Sequence, residues 1–219
     1  RNPSGLFKAI GQSIIGKAGK KGAWNFRNVG ETLAYSIPYI LCGLSMGFAA
    51  RVGLFNIGAE GQYIVGMPAA QAVAVCIPSF PFQWLICLLV AIAAGAIWGG
   101  IVGFLKAKYK VSEVVATIML NYIALYLFRI IAFKMPAGLT NRTYQTAPLQ
   151  SGALLSKFLI KTSNLNIGFF FMIAACLIYW FIMEKTKMGF AFRATGYNKD
   201  AARCSGINAD SAIASSMAI

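Results

Sequence analysis

Residues Phe55–Gln62 read FNIGAEGQ and lie between two apolar runs, Tyr35–Ala50 and Tyr63–Ile77. The flanks suit lipid, yet the stretch holds an Asn, a Glu, a Gln and two glycines. A central charge in a membrane costs about 2.5–3.5 kcal/mol on the insertion scale, so Glu60 needs a reason to be there. Polar residues and glycines mark a tight turn at the membrane surface. They also mark an interrupted helix, whose freed backbone groups only protein or a wet cavity can satisfy. Transporters place their sites at such breaks. The residues alone fit both readings equally, and the choice between them decides the fold.

The surrounding chain sets the class. Of 219 residues, 58% are hydrophobic and 12% charged, against roughly 25% charged in a soluble domain. A soluble fold cannot wet so apolar a surface, which leaves an all-α polytopic transmembrane bundle. The net charge of +14 does not signal nucleic acid. The Lys and Arg residues flank apolar runs, where they set topology and meet anionic lipid.

Several chemistries are excluded. There is no histidine, which removes Ser-His-Asp and Cys-His mechanisms within this chain. Aspartate occurs only at Asp200 and Asp210, so no intramembrane aspartate pair exists. The five cysteines form no C-x-x-C pair, and Cys42, Cys76, Cys87 and Cys176 sit inside apolar runs. They read as small buried hydrophobes rather than a metal site or disulfide framework. The stretch Gly11–Ala18, GQSIIGKA, nearly matches a phosphate-binding loop. It has Ala18 where a hydroxyl must reach Mg²⁺, and no apolar strand precedes it. An amphipathic surface helix with Leu6, Phe7, Ile10 and Ile14 on one side is the better reading.

A helical crossing needs about 20 apolar residues. That criterion places spans at about 31–50, 55–78, 82–105, 112–134 and 167–183, with another starting at 211. Residues 1–30 form an extramembrane segment and 31–219 the membrane domain. The chain begins without Met and ends inside an apolar run, as expected of a piece of a longer protein. Lys106–Lys110 (KAKYK) and the five positive residues of Glu184–Gly206 mark the cytoplasmic side. Residues 135–166 then form an irregular outer loop containing Pro136, Gly138 and Pro148. The six positive residues before 31 do not fit one rule. Two separate spans at 31–50 and 55–78 put them outside, whereas one broken crossing puts them inside.

Polar positions within the spans are the candidate machinery. Glu113, Thr117 and Asn121 recur every four residues and share one helix face. Asn121 lies about 12 Å beyond Glu113, well into a core about 30 Å thick. Thr117 suits helix-to-helix bonding and Glu113 a helix start. Gly95, Gly99 and Gly103 form a small-residue face for close helix approach, as do Gly43 and Gly47. The loop 184–210 ends in NKDAARCSGI, a short helix capped by Asn198 and closed by Gly206.

Three segments carry a family resemblance: RVGLFNIGAEGQ (Arg51–Gln62), EVVATIMLNYIALYL (Glu113–Leu127) and GFAFRATGYNKDAARCSGI (Gly189–Ile207). In this order and spacing they resemble permease subunits of ABC importers. The nearest branch is the nucleoside and simple-sugar one, related to ribose and branched-chain amino-acid permeases. The resemblance implies a multi-pass bacterial inner-membrane permease with a duplicated core. It implies a second permease subunit, identical or homologous, two cytoplasmic ATPase subunits that bring the ATP and Mg²⁺, and an extracytoplasmic solute-binding protein. This chain then needs no cofactor or metal and catalyses no reaction. An upstream span is implied too, which places residues 1–30 outside. The resemblance assigns Gly196, Asn198, Ala201, Ala202, Gly206 and Ile207 to the helix that couples to the ATPase. Asn56, Glu60, Gln62 and Asn121 are the candidates for lining or gating the path. The alternatives are a secondary transporter using Glu60 or Glu113 as proton carrier, or a membrane scaffold.

Overall fold

The computed structural model describes residues 3–14, 26–134, 149, 151–155 and 164–219. Among these, the regular elements are helices. They are α1 (Pro3–Ile14), α2 (Phe26–Arg51), α3 (Ala59–Cys76), α4 (Gln83–Tyr109), α5 (Glu113–Lys134), a 3-10 turn (Ser151–Ala153), α6 (Gly168–Lys185), α7 (Lys187–Tyr197), α8 (Lys199–Cys204) and α9 (Ala209–Ala218). Most of the outer loop expected at 135–166, and the end of the near-match GQSIIGKA, lie outside the described residues.

Four helical stretches are long and apolar enough to cross a membrane: Asn28–Arg51, Gln83–Tyr109, Glu113–Ile131 and Gly168–Lys185. They correspond to four of the five complete spans read from the sequence. The fifth, expected at 55–78, is α3. It starts at Ala59, is 18 residues long, and is not among the four. Its apolar stretch is diluted by Glu60, Gln62 and Gln71.

The chain forms two compact units. One comprises residues 1–41 and 155–178 and the other residues 42–154 and 179–219. In the first, Glu31 of α2 accepts from the Asn164 backbone N–H at 3.1 Å and from its side-chain amide at 3.0 Å. Helix α1 exposes Leu6, Phe7 and Ile10, the apolar side expected of a surface helix.

The second unit is organised on α4, which is about 40 Å long at 1.5 Å per residue. Helix α3 runs antiparallel along its first half. Gly66 lies against the Ala91 carbonyl, Gly95 against Gln62, and Gln83 donates to the Val73 and Ile77 carbonyls at 3.2 Å each. Gln83 thereby satisfies the C-terminal end of α3. Helix α9 runs antiparallel along the second half, with Met217 against Gly99 and Ala214 against Gly103. The glycine face read from the sequence thus serves two neighbours, one after the other. Helix α5 folds back beside α4, and Lys106 meets Glu113 at 2.6 Å across the turn. The core joins Phe48, Ala49 and Val52 of α2 and its end to Val102, Met183, Phe192, Ile213 and Met217. Phe48 meets Tyr179 edge-on at 4.7 Å.

A side chain at Gly103 has no room. Its Cβ would lie 2.7 Å from the Ala214 carbonyl oxygen. At Gly43 nothing lies within 4 Å. Gly103→Leu is expected to destabilise the detergent-solubilised protein by about 1–3 kcal/mol, as overpacking does. Gly43→Ala should leave the melting temperature unchanged. Equal melting temperatures for both variants would mean that α9 does not seat on α4.

Candidate functional site

Helix α2 ends at Arg51, and residues 52–58 carry the chain to the start of α3 without helical structure. Gly53 turns the chain at φ +78°, a conformation that costs other residues roughly 1–2 kcal/mol. The Leu54 N–H then bonds back to the Ala49 carbonyl at 3.0 Å. FNIGAEGQ is therefore an irregular link followed by a helix start.

Its depth follows from its neighbours. Gly61 lies level with Asn121, which is about 12 Å along α5 from Glu113. Gln62 lies level with Gly95, about 16 Å along α4 from Lys106. Lys106 and Glu113 mark one end of both helices. The α3 end of the break thus lies well inside the length of two helices that suit a hydrocarbon core about 30 Å thick.

Side chains close the break. Asn121 reaches from α5 across both strands of backbone. Its Oδ1 accepts from the Gly61 N–H at 3.0 Å and its Nδ2 donates to the Ile57 carbonyl at 3.0 Å. Asn56 is 2% exposed, and its Oδ1 accepts from the Gly58 N–H at 2.8 Å. This is the local turn that Asn forms two residues on. Gly58 and Gly61 sit in close contact with α5. A Cβ at Gly58 would lie 3.0 Å from Thr117 Cγ2, and one at Gly61 2.5 Å from Asn121 Oδ1. Thr117 is fully buried and donates to the Val114 carbonyl of its own helix at 3.0 Å.

Gln62 uses its whole amide. Nε2 donates to the Gly95 carbonyl at 3.3 Å and to the Met217 carbonyl at 3.0 Å. Oε1 accepts from Ser45 Oγ at 3.2 Å and from Asn56 Nδ2 at 3.4 Å. Two donors and two lone pairs are all a glutamine offers. Asn56 Nδ2 also donates to Ser45 Oγ at 3.1 Å. Glu60 is different. It is exposed, and among the described residues it has no hydrogen bond or ion pair. The structure brings Asn56, Gln62 and Asn121 together and turns Glu60 away from them.

Ser45 was missed by the sequence reading. A lone hydroxyl in LCGLSMGF was its only signal. Trp98 was missed as well. Its buried Nε1 has no partner among the described residues and lies beside Gly61.

The second candidate cluster is α8 and its flanks. Asn198 Oδ1 accepts from the N–H groups of Asp200 and Ala201 at 3.0 Å each, capping the helix. At the far end Gly206 has φ +80°. The Ile207 N–H bonds to the Ala202 carbonyl and the Gly206 N–H to the Arg203 carbonyl, at 3.0 Å each. These two bonds make a Schellman closure. Ala202 is buried, whereas Asn198, Ala201 and Gly206 are exposed.

Helix α8 is clamped to α9. Arg203 Nη2 donates to both oxygens of Asp210 at 2.9 and 2.7 Å, and Lys199 Nζ lies 3.1 Å from Oδ1. The hydrogen bonds from Arg203, then Lys199, hold the Asp210 carboxyl below its usual range. The clamp's contribution is therefore present at neutral pH and lost as pH falls through the lowered value. On the other side, Gly196 is pressed against the Arg51 carbonyl and Val52. The coupling-like segment thus touches the turn that begins the break.

The family described as branched-chain amino acid transport system / permease component matches residues 28–219. The guanosine ABC transporter permease protein NupP of Bacillus subtilis is 41% identical over 196 residues, 87% of this chain and 56% of that protein. The nucleoside ABC transporter permease protein NupB of Lactococcus lactis is 38% identical over 202 residues, 88% of this chain and 56% of its own length. The glucose ABC transporter permease protein TsgB13 of Haloferax volcanii is 33% identical over 189 residues, covering 81% and 50%. The chain spans about half the length of these relatives. No solved structure matches it. With four helices suited to crossing a bilayer and a match over nearly its whole length, the chain is a multi-pass cell-membrane protein and belongs to the branched-chain amino acid transport system permease family.

Proposed function

We propose that this chain carries part of the translocation path of an ATP-driven importer for a small hydroxylated solute, a nucleoside or simple sugar. The observation that carries the proposal is the break between α2 and α3. Three of its polar side chains, Asn56, Gln62 and Asn121, are spent on holding the break. The fourth, Glu60, stands exposed with no bond among the described residues. A carboxylate at this depth cannot face lipid cheaply, so its side of α3 belongs to a wet path. On the same side, at helical spacing, stand the exposed Tyr63 and Met67. A carboxylate accepts from hydroxyls and an aromatic ring stacks on a base or sugar face. The solute class also draws on the guanosine, nucleoside and glucose permeases among the relatives.

No bond of the solute is broken in this scheme. Two cytoplasmic ATPase subunits bind and hydrolyse Mg-ATP and dock on α8. Its rigid caps and the neighbouring Tyr197, 92% exposed, supply the kind of aromatic anchor that interfaces favour. A second permease subunit completes the path and an extracytoplasmic binding protein delivers the solute. An ion-gradient mechanism is less well supported. Glu113, one of its two candidate carriers, is engaged by Lys106 at 2.6 Å.

Uptake of radiolabelled guanosine and glucose by proteoliposomes holding the complete transporter tests this reading. Glu60→Gln is expected to lower uptake about tenfold or more, the scale of one lost hydrogen bond to a charged group. Unchanged uptake at normal protein level would remove Glu60 from the path. Uptake abolished by an uncoupler at constant ATP would favour the ion-gradient alternative instead.

Asn121→Leu separates holding the break from touching solute. It leaves the Ile57 carbonyl and the Gly61 N–H without their partner, at about 1–3 kcal/mol for each buried group. A lower melting temperature is expected, with the ratio of guanosine to glucose uptake unchanged. A changed ratio at an unchanged melting temperature would make Asn121 a solute contact.

A further inference from the structure

We infer that Gln62 is the positioning residue through which movement of α8 reaches the break, an inference that rests on the importer reading above. Two separate routes lead from the α8 segment to this one side chain. The first runs through α9. Lys199 and Arg203 grip Asp210, α9 rises about 10 Å from Asp210 to Met217, and the Met217 carbonyl accepts from Gln62 Nε2 at 3.0 Å. The second runs through α2. Gly196, two residues before α8's cap, presses on the Arg51 carbonyl and Val52. Helix α2 spans about 9 Å from Arg51 back to Ser45, and Ser45 Oγ donates to Gln62 Oε1 at 3.2 Å.

Both routes consist of rigid helix closed at each end by a polar clamp or a backbone contact. They end on opposite atoms of one amide. The other two bonds of that amide hold α4, through the Gly95 carbonyl, and the break itself, through Asn56. No hydrogen-bonding capacity is left over. Its partners Ser45 and Asn56 are buried, so no bulk water stands ready there to replace a broken bond. Displacing α9 or α2 therefore requires Gln62, and the first turn of α3 with it, to move or to change partners. Glu60 sits on that same turn. The amide thus ties the side chain exposed toward the path to both arms of the coupling segment.

The inference is testable in the complete transporter with its ATPase subunits. A cysteine replaces the exposed Phe55 in a cysteine-free version that retains uptake. Its rate of modification by a charged methanethiosulfonate reagent is measured with and without ATP plus vanadate. With Gln62 intact, nucleotide is expected to change the rate by about fivefold or more, the lower end of ordinary coupling between sites. Gln62→Leu, close in size but without the amide, is expected to bring the ratio to one. Ser45→Ala and Asp210→Asn, which each cut one arm and leave Gln62 in place, are expected to give intermediate ratios. Adding Asp210→Asn to Gln62→Leu should change nothing further. A purely structural role would lower the melting temperature of these variants and leave the nucleotide ratio intact. That result in Gln62→Leu, or in both single-arm variants should Gln62→Leu fail to assemble, overturns the relay while leaving the importer reading standing. An absence of any nucleotide response with Gln62 present overturns both.

Discussion

A helix that begins inside a membrane has backbone donors and acceptors that no bulk water can satisfy. The amides and glycines around the start of α3 answer that constraint. In the link between α2 and α3, Asn121 bonds the Gly61 N–H and the Ile57 carbonyl and Asn56 bonds the Gly58 N–H, while Gln62 holds Asn56 in place. Each bond in water would be worth about 1 kcal/mol net. In hydrocarbon the alternative is an unpaired polar group costing several times that. The amides are therefore structural necessities first, and their burial follows from the cost of the alternative.

Helix α4 makes this geometry possible. Its glycines at 95, 99 and 103 carry α3 against one half and α9 against the other. Any larger residue at 99 would occupy the space of the Gln62 amide and the Met217 carbonyl together. Small residues in membrane helices are usually valued for packing. Here they also set the distance at which one glutamine can reach the backbone of two helices.

Much of this architecture was legible in the sequence and some of it was not. Long helices were readable because apolar runs end at charges, as α4 does near Lys106 and α6 at Lys185. The caps of α8 were readable because Asn198 and Gly206 act within a few residues of themselves. The start of α3 was misplaced from 55 to 59 because Phe55 and Ile57 are as apolar as a helix interior, and hydropathy does not record backbone conformation. The different fates of Glu60 and Gln62 were hidden for a deeper reason. The partners of Gln62 come from α2, α4 and α9, up to 155 residues away. No local pattern encodes such a meeting. Ser45 shares that difficulty, since one hydroxyl in an apolar helix usually bonds to its own backbone.

The polar anomaly of FNIGAEGQ therefore divides into two parts. Asparagine and glutamine have both donors and acceptors, so they can close a backbone that lacks both. A carboxylate accepts only, and could satisfy the freed N–H groups of a helix start but not the freed carbonyls. Were the role of this stretch only to hold a break, amides and glycines would suffice and a charge would add cost. Glu60 stands outside the closure the amides complete. A charge costing about 2.5–3.5 kcal/mol with no share in that closure needs another use, and the use proposed above is to face the solute path.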